Sequence, residues 1–533
     1  MNRTRTSKNA KRLLVWLLLL TMVFGLLPMA AFADEAGEPV VIEEPVQETE
    51  PSKLTEAPSE PTQEPTQEPE PEQPGNAVVT IEGDEEQSED DADAEDEITT
   101  LSTNPIEGFD YSIVMVDCGR KYYSVESINS IISSAASAGM HYVMLAVGNE
   151  GLRFLLDDMS LSFNDTDYTS EQVKKAIHAG NQDYDTRKGY NPGDKEELTE
   201  ADMVKIMEHA NSVGVQIIPL INTPGHMDAI LYAMGSGTDA LNAVTNPAAY
   251  VWGTSTTTID VDNTQAVAFT QALLQKYITF FANKGCKLFN MGADEYANDI
   301  DGNPKFGNIS TSTYNNYINH INAVAAMIEK AGMKPMAFND GIYYNENSNC
   351  NEIDTDILVC FWSHGWTGGY FPASASFLAE KGFKLINTNG AYYYVLGKEK
   401  CEADKAKGFS ITTFPNRNSG SEEISKVAGA MFCIWSDDPN NMGDTEVAAD
   451  TVSVISAFGG TLPKTPNIGA THVNLTTSGG GSESGGESGG STGGETQKPD
   501  VTVKLKVGET KTETQKNVNS ENSVGDYDTS IVH

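Results

Sequence analysis

Eight short apolar runs recur between residues 104 and 465, and amphipathic stretches separate several of them. The runs have the length of buried strands, and the stretches between them have helical periodicity. Strands that alternate with helices predict a parallel sheet. The expected strands cover residues 112–118, 141–147, 215–221, 287–291, 335–338, 357–362, 384–387 and 430–435, and the expected helices cover 124–138, 200–213, 265–283, 313–331 and 445–458.

Eight such repeats over roughly 360 residues predict an α/β fold, a closed (β/α)8 TIM barrel with long loops on its functional face. The fifth run is short and the helical pattern after the sixth is weak. An open doubly wound sheet is therefore the alternative.

The fourth run ends in two adjacent acids, Asp294 and Glu295, after Asn290-Met291-Gly292-Ala293. In a parallel barrel, catalytic side chains lie at the carboxyl ends of the strands. Neighbouring carboxylates repel each other as anions, so one of them tends to keep a proton. The pair can therefore supply an acid and an orienting base. The alternative is a solvated loop, which the apolar run and the small residues before the acids disfavour.

Polar and aromatic side chains also follow the other runs. They are Arg120 after the first, His226 after the third, Trp362 after the sixth, Tyr392, Tyr393 and Tyr394 after the seventh, and Trp435 and Asp437 after the eighth. Taken singly, the histidine and the tryptophan fit structural roles, the arginine fits a salt bridge, and the tyrosines fit an edge strand. Together at one rim they predict a carbohydrate site, because aromatic faces stack on sugar rings while carboxylates and arginine bind hydroxyl groups.

Residues 1–33 have the pattern of a secretory signal peptide. Basic residues precede an apolar run at 13–27, and Ala31-Phe32-Ala33 precedes the expected cleavage point. The alternative is an uncleaved anchor, but the apolar run is short for a membrane span. We expect a secreted or cell-surface protein with no membrane span after cleavage.

The segments that flank the expected barrel, 104–465, are polar. Residues 34–103 are rich in Pro, Glu and Thr, and 24 acids against one base, Lys53, account for much of the net charge of -41. This composition predicts a disordered tether. Residues 466–499 are predicted to be a Gly- and Ser-rich linker, and 500–533 the start of a truncated β module. Basic residues are not clustered, so a nucleic-acid partner is not expected.

The six cysteines point to buried thiols rather than to a metal site. Cys118, Cys286, Cys360 and Cys433 lie in or beside apolar runs, while Cys350 and Cys401 lie in polar loops and could pair. The spacings that bind metals, such as CxxC, do not occur in the sequence, so we expect no metal.

Three motifs resemble glycoside hydrolase family 20, the β-N-acetylhexosaminidases. Residues 290–295 resemble the catalytic signature of that family, Asn222-Thr223-Pro224-Gly225-His226 its Pro-Gly-His turn, and Trp435-Ser436-Asp437 its closing motif. Residues 148–158 are most similar to the subgroup of surface exo-β-N-acetylglucosaminidases and lacto-N-biosidases of Gram-positive bacteria. The motifs occur in family order over about 105–460.

The resemblance implies a retaining mechanism in which the 2-acetamido group of the substrate acts as the nucleophile. Glu295 would then be the general acid, and Asp294 would hold the acetamido N–H. Tyr393, or Tyr392 if the register differs by one residue, would donate to the acetamido oxygen. Trp362 and Trp435 would form walls of the sugar pocket. Arg120 and Asp437 would bind hydroxyl groups, and no cofactor would be needed.

The sequence departs from the family pattern in two places. The tether occupies the position of the small α+β domain that often precedes the barrel in this family. Gly148-Asn149-Glu150 stands where many members have Asp-Asp-Gln, which leaves the usual aspartate partner of His226 in question.

Three functions remain open at this point. The first is an exo-acting β-N-acetylhexosaminidase that acts on glycans with terminal β-linked N-acetylhexosamine. The second is a lacto-N-biosidase that releases a disaccharide. The third is a glycan-binding adhesin on an inactive barrel, which the intact Asp294 and Glu295 disfavour. The depth of the pocket and the oligomeric state cannot be derived from the residues.

Overall fold

Eight parallel strands form a closed barrel. The structure, a computed structural model, describes residues 108–250, 254–296, 309–367, 369–465 and 471–476. The strands are β1 (Tyr111–Val116), β2 (Tyr142–Asn149), β3 (Gln216–Thr223), β4 (Leu288–Gly292), β5 (Lys334–Phe338), β6 (Leu358–Phe361), β7 (Leu385–Asn387) and β8 (Gly429–Trp435). Strand β1 pairs with both β2 and β8. This closure confirms the predicted barrel and excludes the open sheet.

Helices surround the barrel. They are α1 (Val125–Ser137), α2 (Ser170–Lys188), α3 (Glu200–Ser212), α4 (Asp228–Met234), α5 (Thr264–Asn283), α6 (Thr311–Lys330), α7 (Ala375–Glu380), α8 (Ala403–Ala406) and α9 (Asp444–Gly459). The five expected helices are α1, α3, α5, α6 and α9, each within two residues of its predicted ends. Among the described residues, no helix is both long and apolar enough to cross a lipid bilayer.

Local sequence explains several helix starts. The side chains of Thr169 and Thr199 accept hydrogen bonds from the backbone amides of Gln172 and Asp202, and the side chains of Gln172 and Asp202 accept from the backbone amides of the two threonines. These capping boxes satisfy amides that would otherwise lack partners. The helical pattern after the sixth run is weak because α7 has only six residues.

Short strands and 3-10 turns lie around the mouth of the barrel. They are 3-10 turns at Tyr344–Glu346 and Gly390–Tyr392, and strands at Gly151–Leu152, Phe154–Leu155, Leu161–Phe163, Thr166–Tyr168, Leu198–Thr199, Ala248–Tyr250, Thr254–Ile259, Tyr394–Val395, Thr413–Asn416 and Gly420–Glu423. The triplet of tyrosines therefore runs from a turn into a two-residue strand that pairs with β8.

Alternate residues of the strands enter two different cores. Ile113 and Met115 of β1 belong to the core inside the barrel, and Val114 and Val116 to the core between strands and helices. Both faces of the strands are thus covered, as in other all-parallel sheets, and the barrel is filled by side chains. The site must therefore lie above this filled interior, at the carboxyl ends of the strands.

All six cysteines are free thiols. The predicted buried positions of Cys118, Cys286, Cys360 and Cys433 are confirmed. Cys350 and Cys401, which could pair by their positions in polar loops, do not form a disulfide, and Cys401 is buried.

The segment 471–476, which falls within the predicted linker, packs against the floor of the barrel, the face at the amino ends of the strands. Nε2 of His472 accepts a hydrogen bond from the backbone amide of Ile217 at 3.0 Å. The backbone carbonyl of His472 accepts another from Asn211 at 3.0 Å. Gly285 has φ of 88°, and a Cβ there would lie 2.3 Å from the carbonyl oxygen of Thr471. Glycine thus allows this close approach. Residues 1–103 and 500–533 lie outside the described part of the chain.

A chain of residues 104–465 is expected to keep the kcat/KM of the full chain, because the floor is remote from the strand ends that carry the site. It should be less stable than a chain of 104–476, since the Ile217 amide loses its acceptor, and an unsatisfied buried donor costs about 1–3 kcal/mol. Thermal unfolding of both chains and kinetics on a glycoside substrate test this. Equal melting temperatures, or a large loss of kcat/KM in the shorter chain, would contradict it.

The extra stability of the 104–476 chain over the 104–465 chain should depend on pH. Burial lowers the pKa of His472 from 6.5 to about 4, so the folded chain holds the neutral imidazole that accepts from Ile217. The unfolded chain takes up a proton first as the pH falls. The extra stability should therefore be complete above about pH 6.5 and decrease toward pH 4.

Candidate active site

The chain turns sharply where β4 ends, and this turn directs both acids to one place. Gly292, Ala293 and Glu295 have φ of 72°, 65° and 45°. At Gly292 a Cβ would lie 2.1 Å from Oδ1 of Asn222, so only glycine fits. Residues that follow one another in a strand point to opposite faces, but this left-handed turn removes that alternation. Asp294 and Glu295 therefore reach the same histidine.

That histidine is His226, which lies after β3. Its Nε2 is 3.6 Å from Oδ2 of Asp294 and 3.5 Å from Oε2 of Glu295. The imidazole is buried, and its backbone has φ of 53°. The structure thus brings together the acid pair and the Pro-Gly-His turn, which lie 68 residues apart in the chain.

Asn222, the last residue but one of β3, fixes Asp294. Its Nδ2 donates to Oδ1 of Asp294 at 2.7 Å, while its Oδ1 accepts from the Ala293 amide at 3.0 Å. The side-chain amide of Asn222 can take only one orientation, because the Asp294 carboxylate needs a donor and the Ala293 backbone amide needs an acceptor. Burial and the neighbouring Glu295 raise the pKa of Asp294, and His226 and Asn222 oppose that rise. The other oxygen of Asp294 remains directed at the space near His226.

Glu150 is the carboxylate partner of His226, at the place where the sequence left the usual aspartate in question. Its Oε1 accepts from Nδ1 of His226 at 2.8 Å and from Arg120 at 3.3 Å. The backbone at Glu150 has φ of 60°, which turns its side chain toward the mouth. Burial alone would lower the pKa of His226, but the carboxylates of Glu150 and Asp294 raise it well above its usual range. We conclude that the imidazole is held as a cation between the two acids at neutral pH.

Asp340, two residues beyond the end of β5, is a site residue that the sequence interpretation missed. Its Oδ2 accepts from the Glu295 amide at 2.7 Å and from the Tyr370 hydroxyl, and its Oδ1 accepts from Nε1 of Trp362 at 3.2 Å. Burial and Asp294 raise its pKa to about 7. Asp340 thus connects the backbone of one acid to an aromatic wall. Its position two residues after the fifth apolar run was a signal that could have identified it.

Aromatic rings surround the barrel mouth. Trp435 is only 8% exposed and packs 5.7 Å from Phe338 and 5.8 Å from Tyr393, measured between ring centroids. Burial raises the pKa of Tyr393 well above its usual range, so its phenol keeps its proton. Tyr392 instead packs edge-on against Phe409 and donates to the Gly408 carbonyl at 3.0 Å. Of the two register alternatives, the structure places Tyr393 at the mouth.

Arg120 forms a charged wall next to Trp435. Its guanidinium lies 3.2 Å from Asp117, 3.3 Å from Glu150 and 3.5 Å from Asp437, and 5.7 Å from the centre of the Trp435 ring. Asp437 also pairs with Lys398 at 2.6 Å. The salt bridges expected as the alternative for Arg120 are therefore present, and they lie at the mouth. Such a group of charges suits hydroxyl groups of a polar ligand.

Replacing Trp435 by alanine is expected to raise KM and lower kcat together, because a stacked ring both binds a sugar and orients it. Stability should also fall, since loss of a large buried aromatic costs about 3–5 kcal/mol. Kinetics must therefore be measured below the melting temperature of the variant. Phe432→Ala is the matched control, because Phe432 lies on the same strand but in the core between strands and helices. If both variants lose only stability, Trp435 is a core residue.

Comparison with known proteins agrees with this geometry. Residues 109–447 match the catalytic domain of glycosyl hydrolase family 20. A structure of the pneumococcal virulence factor StrH is 35% identical, has a TM-score of 0.60 and covers 66% of this chain and 84% of that one. A second StrH structure, from its tandem GH20 catalytic modules, is 36% identical with a TM-score of 0.59 and covers 66% and 83%.

A curated relative extends the comparison. A lacto-N-biosidase from Bifidobacterium bifidum is 25% identical over an alignment of 269 residues, and the match covers 47% of this chain and 22% of that protein. The match thus spans about a fifth of that relative.

Proposed function

The chain belongs to glycosyl hydrolase family 20, and we propose that this glycoside hydrolase is an exported, retaining exo-β-N-acetylhexosaminidase. It removes terminal β-linked N-acetylglucosamine or N-acetylgalactosamine from glycans by substrate-assisted catalysis. The observation that carries the proposal is the approach of both Asp294 and Glu295 to His226 Nε2, at 3.6 and 3.5 Å.

In the first step, Glu295 protonates the glycosidic oxygen as the bond to the anomeric carbon breaks. The carbonyl oxygen of the 2-acetamido group attacks the anomeric carbon and forms an oxazolinium ion. Asp294 accepts a hydrogen bond from the acetamido N–H and stabilises the positive charge that develops on that nitrogen. Its Oδ1 is already bonded to Asn222, so Oδ2 makes this contact. The protonated Tyr393 donates to the acetamido oxygen and orients it.

In the second step, Glu295 removes a proton from water, which attacks the anomeric carbon from the face that the aglycone left. The oxazolinium ring opens and restores the 2-acetamido group, and the product has the β configuration of the substrate. Two inversions at one carbon account for retention. His226, held by Glu150 at 2.8 Å, stabilises the negative charge of Asp294, and that of Glu295 after its proton has been transferred.

The sugar binds between aromatic and charged walls. Trp435 and Trp362 bound the ring and its acetamido group, and Arg120 and Asp437 bind ring hydroxyl groups. The ion pair of Arg120 with Asp437 beside Trp435 offers donors and acceptors for the hydroxyl groups of the terminal sugar.

Hydrolysis of nitrophenyl β-N-acetylglucosaminide and nitrophenyl lacto-N-bioside tests the proposal. We expect release of nitrophenol from the first substrate, with Glu295→Gln protein as the blank. The 25% identical lacto-N-biosidase supports a second candidate, release of the disaccharide, and activity on the second substrate alone would establish it. Binding without hydrolysis of either substrate would indicate a glycan-binding adhesin.

Export is part of the proposal, because residues 1–33 have a basic start, an apolar run and a small-residue end. Amino-terminal sequencing of protein recovered from culture medium should give Asp34 as the first residue. Retention of an intact Met1 terminus in the cell fraction would contradict export with cleavage.

A further inference from the structure

Asp228, the first residue of α4, lies two residues beyond His226 and is 3% exposed. Its Oδ1 accepts from the Arg187 guanidinium. Its Oδ2 is buried and has no hydrogen-bond partner in the described part of the chain. A buried polar atom without a partner is costly, so its retention here requires a reason.

The group facing Asp228 is the carboxyl of Glu150, within hydrogen-bonding contact. The Thr257 hydroxyl touches both carboxyl groups but has one proton, which it donates to Oε2 of Glu150. Backbone bonds hold the two segments together, from the Glu150 amide to the His226 carbonyl and from the Ala229 amide to the Glu150 carbonyl, at 2.6 and 2.8 Å. Two buried carboxylates in contact repel each other as anions, which favours a proton on one of them.

The proton belongs on Asp228. Glu150 has donors in His226, Arg120 and Thr257, and although burial alone would raise its pKa, His226 and these groups lower it well below its usual range. Among the described residues, the cationic partner of Asp228 is Arg187, whose side chain is 37% exposed and also pairs with Asp183. Burial and Glu150 raise the pKa of Asp228 to about 8. A protonated Asp228 also gives its Oδ2 a hydrogen bond, which it donates to Glu150.

We propose that Asp228 is a positioning residue, a neutral carboxylic acid that donates to Glu150 and so fixes the carboxylate that holds His226 between Asp294 and Glu295. The role rests on the proposed function, because its effect on catalysis passes through Glu150 and His226 to the general acid. Asp228 itself touches neither the substrate nor the reacting atoms.

The kinetic test compares Asp228→Asn with Asp228→Ala. The asparagine amide keeps a neutral donor, so kcat should stay within about threefold of the parent. Alanine removes the donor, and displacement of Glu150 and His226 should lower kcat about tenfold or more while KM changes little. Asp183→Asn is the matched control, because Asp183 pairs with the same arginine and is 43% exposed, and it should leave both constants unchanged.

A second test needs no substrate. As the pH falls from about 9 to about 6, folded parent protein binds a proton at Asp228 that the unfolded chain, with a pKa near 3.8, does not bind. The parent should therefore gain melting temperature relative to Asp228→Asn over this range. The charged and titratable groups that face Asp228 are Glu150, Asp183, Tyr184, Arg187, His226 and Asp260; all are shared by the two proteins, so their own titration largely cancels in the difference.

Two results would overturn the assignment. One is equal loss of kcat, or no loss, in both Asp228 variants. The other is a melting-temperature difference that stays constant between about pH 6 and 9, because an ionised Asp228 paired with Arg187 would give no such slope. If the parent hydrolyses neither test glycoside, the proposed function fails, while the stability comparison still supports or overturns the protonated Asp228.

Discussion

Glu295→Gln is expected to lower kcat/KM for an alkyl or nitrophenyl β-N-acetylglucosaminide by roughly 10²–10⁴-fold, because the amide keeps the shape but has no proton to transfer. The loss should shrink for dinitrophenyl glycosides, whose leaving group needs little protonation. The measurement is a series of kcat/KM values against leaving-group pKa, with a steeper dependence in the variant than in the parent.

Asp438→Asn is the matched control for this series, because Asp438 is an exposed carboxylate on the loop after β8. It should leave kcat/KM unchanged. An equal loss for all leaving groups in Glu295→Gln would contradict the role of general acid. A large loss in Asp438→Asn would direct the search for a nucleophile to the rim.

Asp294→Asn is expected to lower kcat strongly for every leaving group. Asparagine keeps a hydrogen-bonding group, but the negative charge that stabilises the acetamido nitrogen is lost, and formation of the oxazolinium ion precedes or accompanies departure of the aglycone. The loss should therefore persist with dinitrophenyl glycosides, in contrast to Glu295→Gln. The same leaving-group series separates the two roles.

A thiazoline analogue of the intermediate gives an independent measurement for Asp294. It should inhibit the parent and bind the Asp294→Asn protein poorly, because the analogue presents the same ring nitrogen to the lost charge. Equal dissociation constants for the two proteins would contradict substrate-assisted catalysis. A protein nucleophile would then have to be sought among Glu150, Asp437 and Asp438.

The positions of the strands could be predicted from the sequence because they depend on local properties. A parallel strand buried on both faces is a continuous apolar run whatever its neighbours are. The acid pair could also be predicted from local sequence, since the small residues of Met291-Gly292-Ala293 indicate the turn that directs the pair. Helix α2 was missed because its surface is polar, although Val173, Ala176 and Ile177 are spaced to bury one face.

The network behind the acids could not be predicted, because it joins residues far apart in the chain. Glu150 reaches His226 across 76 residues, and Asp340 reaches the Glu295 amide across 45. Only the closed barrel places those strand ends side by side. The choice between Tyr392 and Tyr393 likewise depended on the 3-10 turn at Gly390–Tyr392, which rotates one ring toward Phe409 and the other toward Trp435.

The packing of residues 471–476 on the floor brings the two ends of the described chain to the same face of the barrel. The described chain enters beside β1, where the Asp110 amide donates to the Ala428 carbonyl at 2.8 Å, and it leaves beside Lys284, whose carbonyl accepts from the Val473 amide at 2.9 Å. Both junctions lie at the amino ends of the strands. The acids Asp294 and Glu295 follow the carboxyl end of β4, so both junctions of the described chain lie at the opposite end of the strands and leave the mouth uncovered.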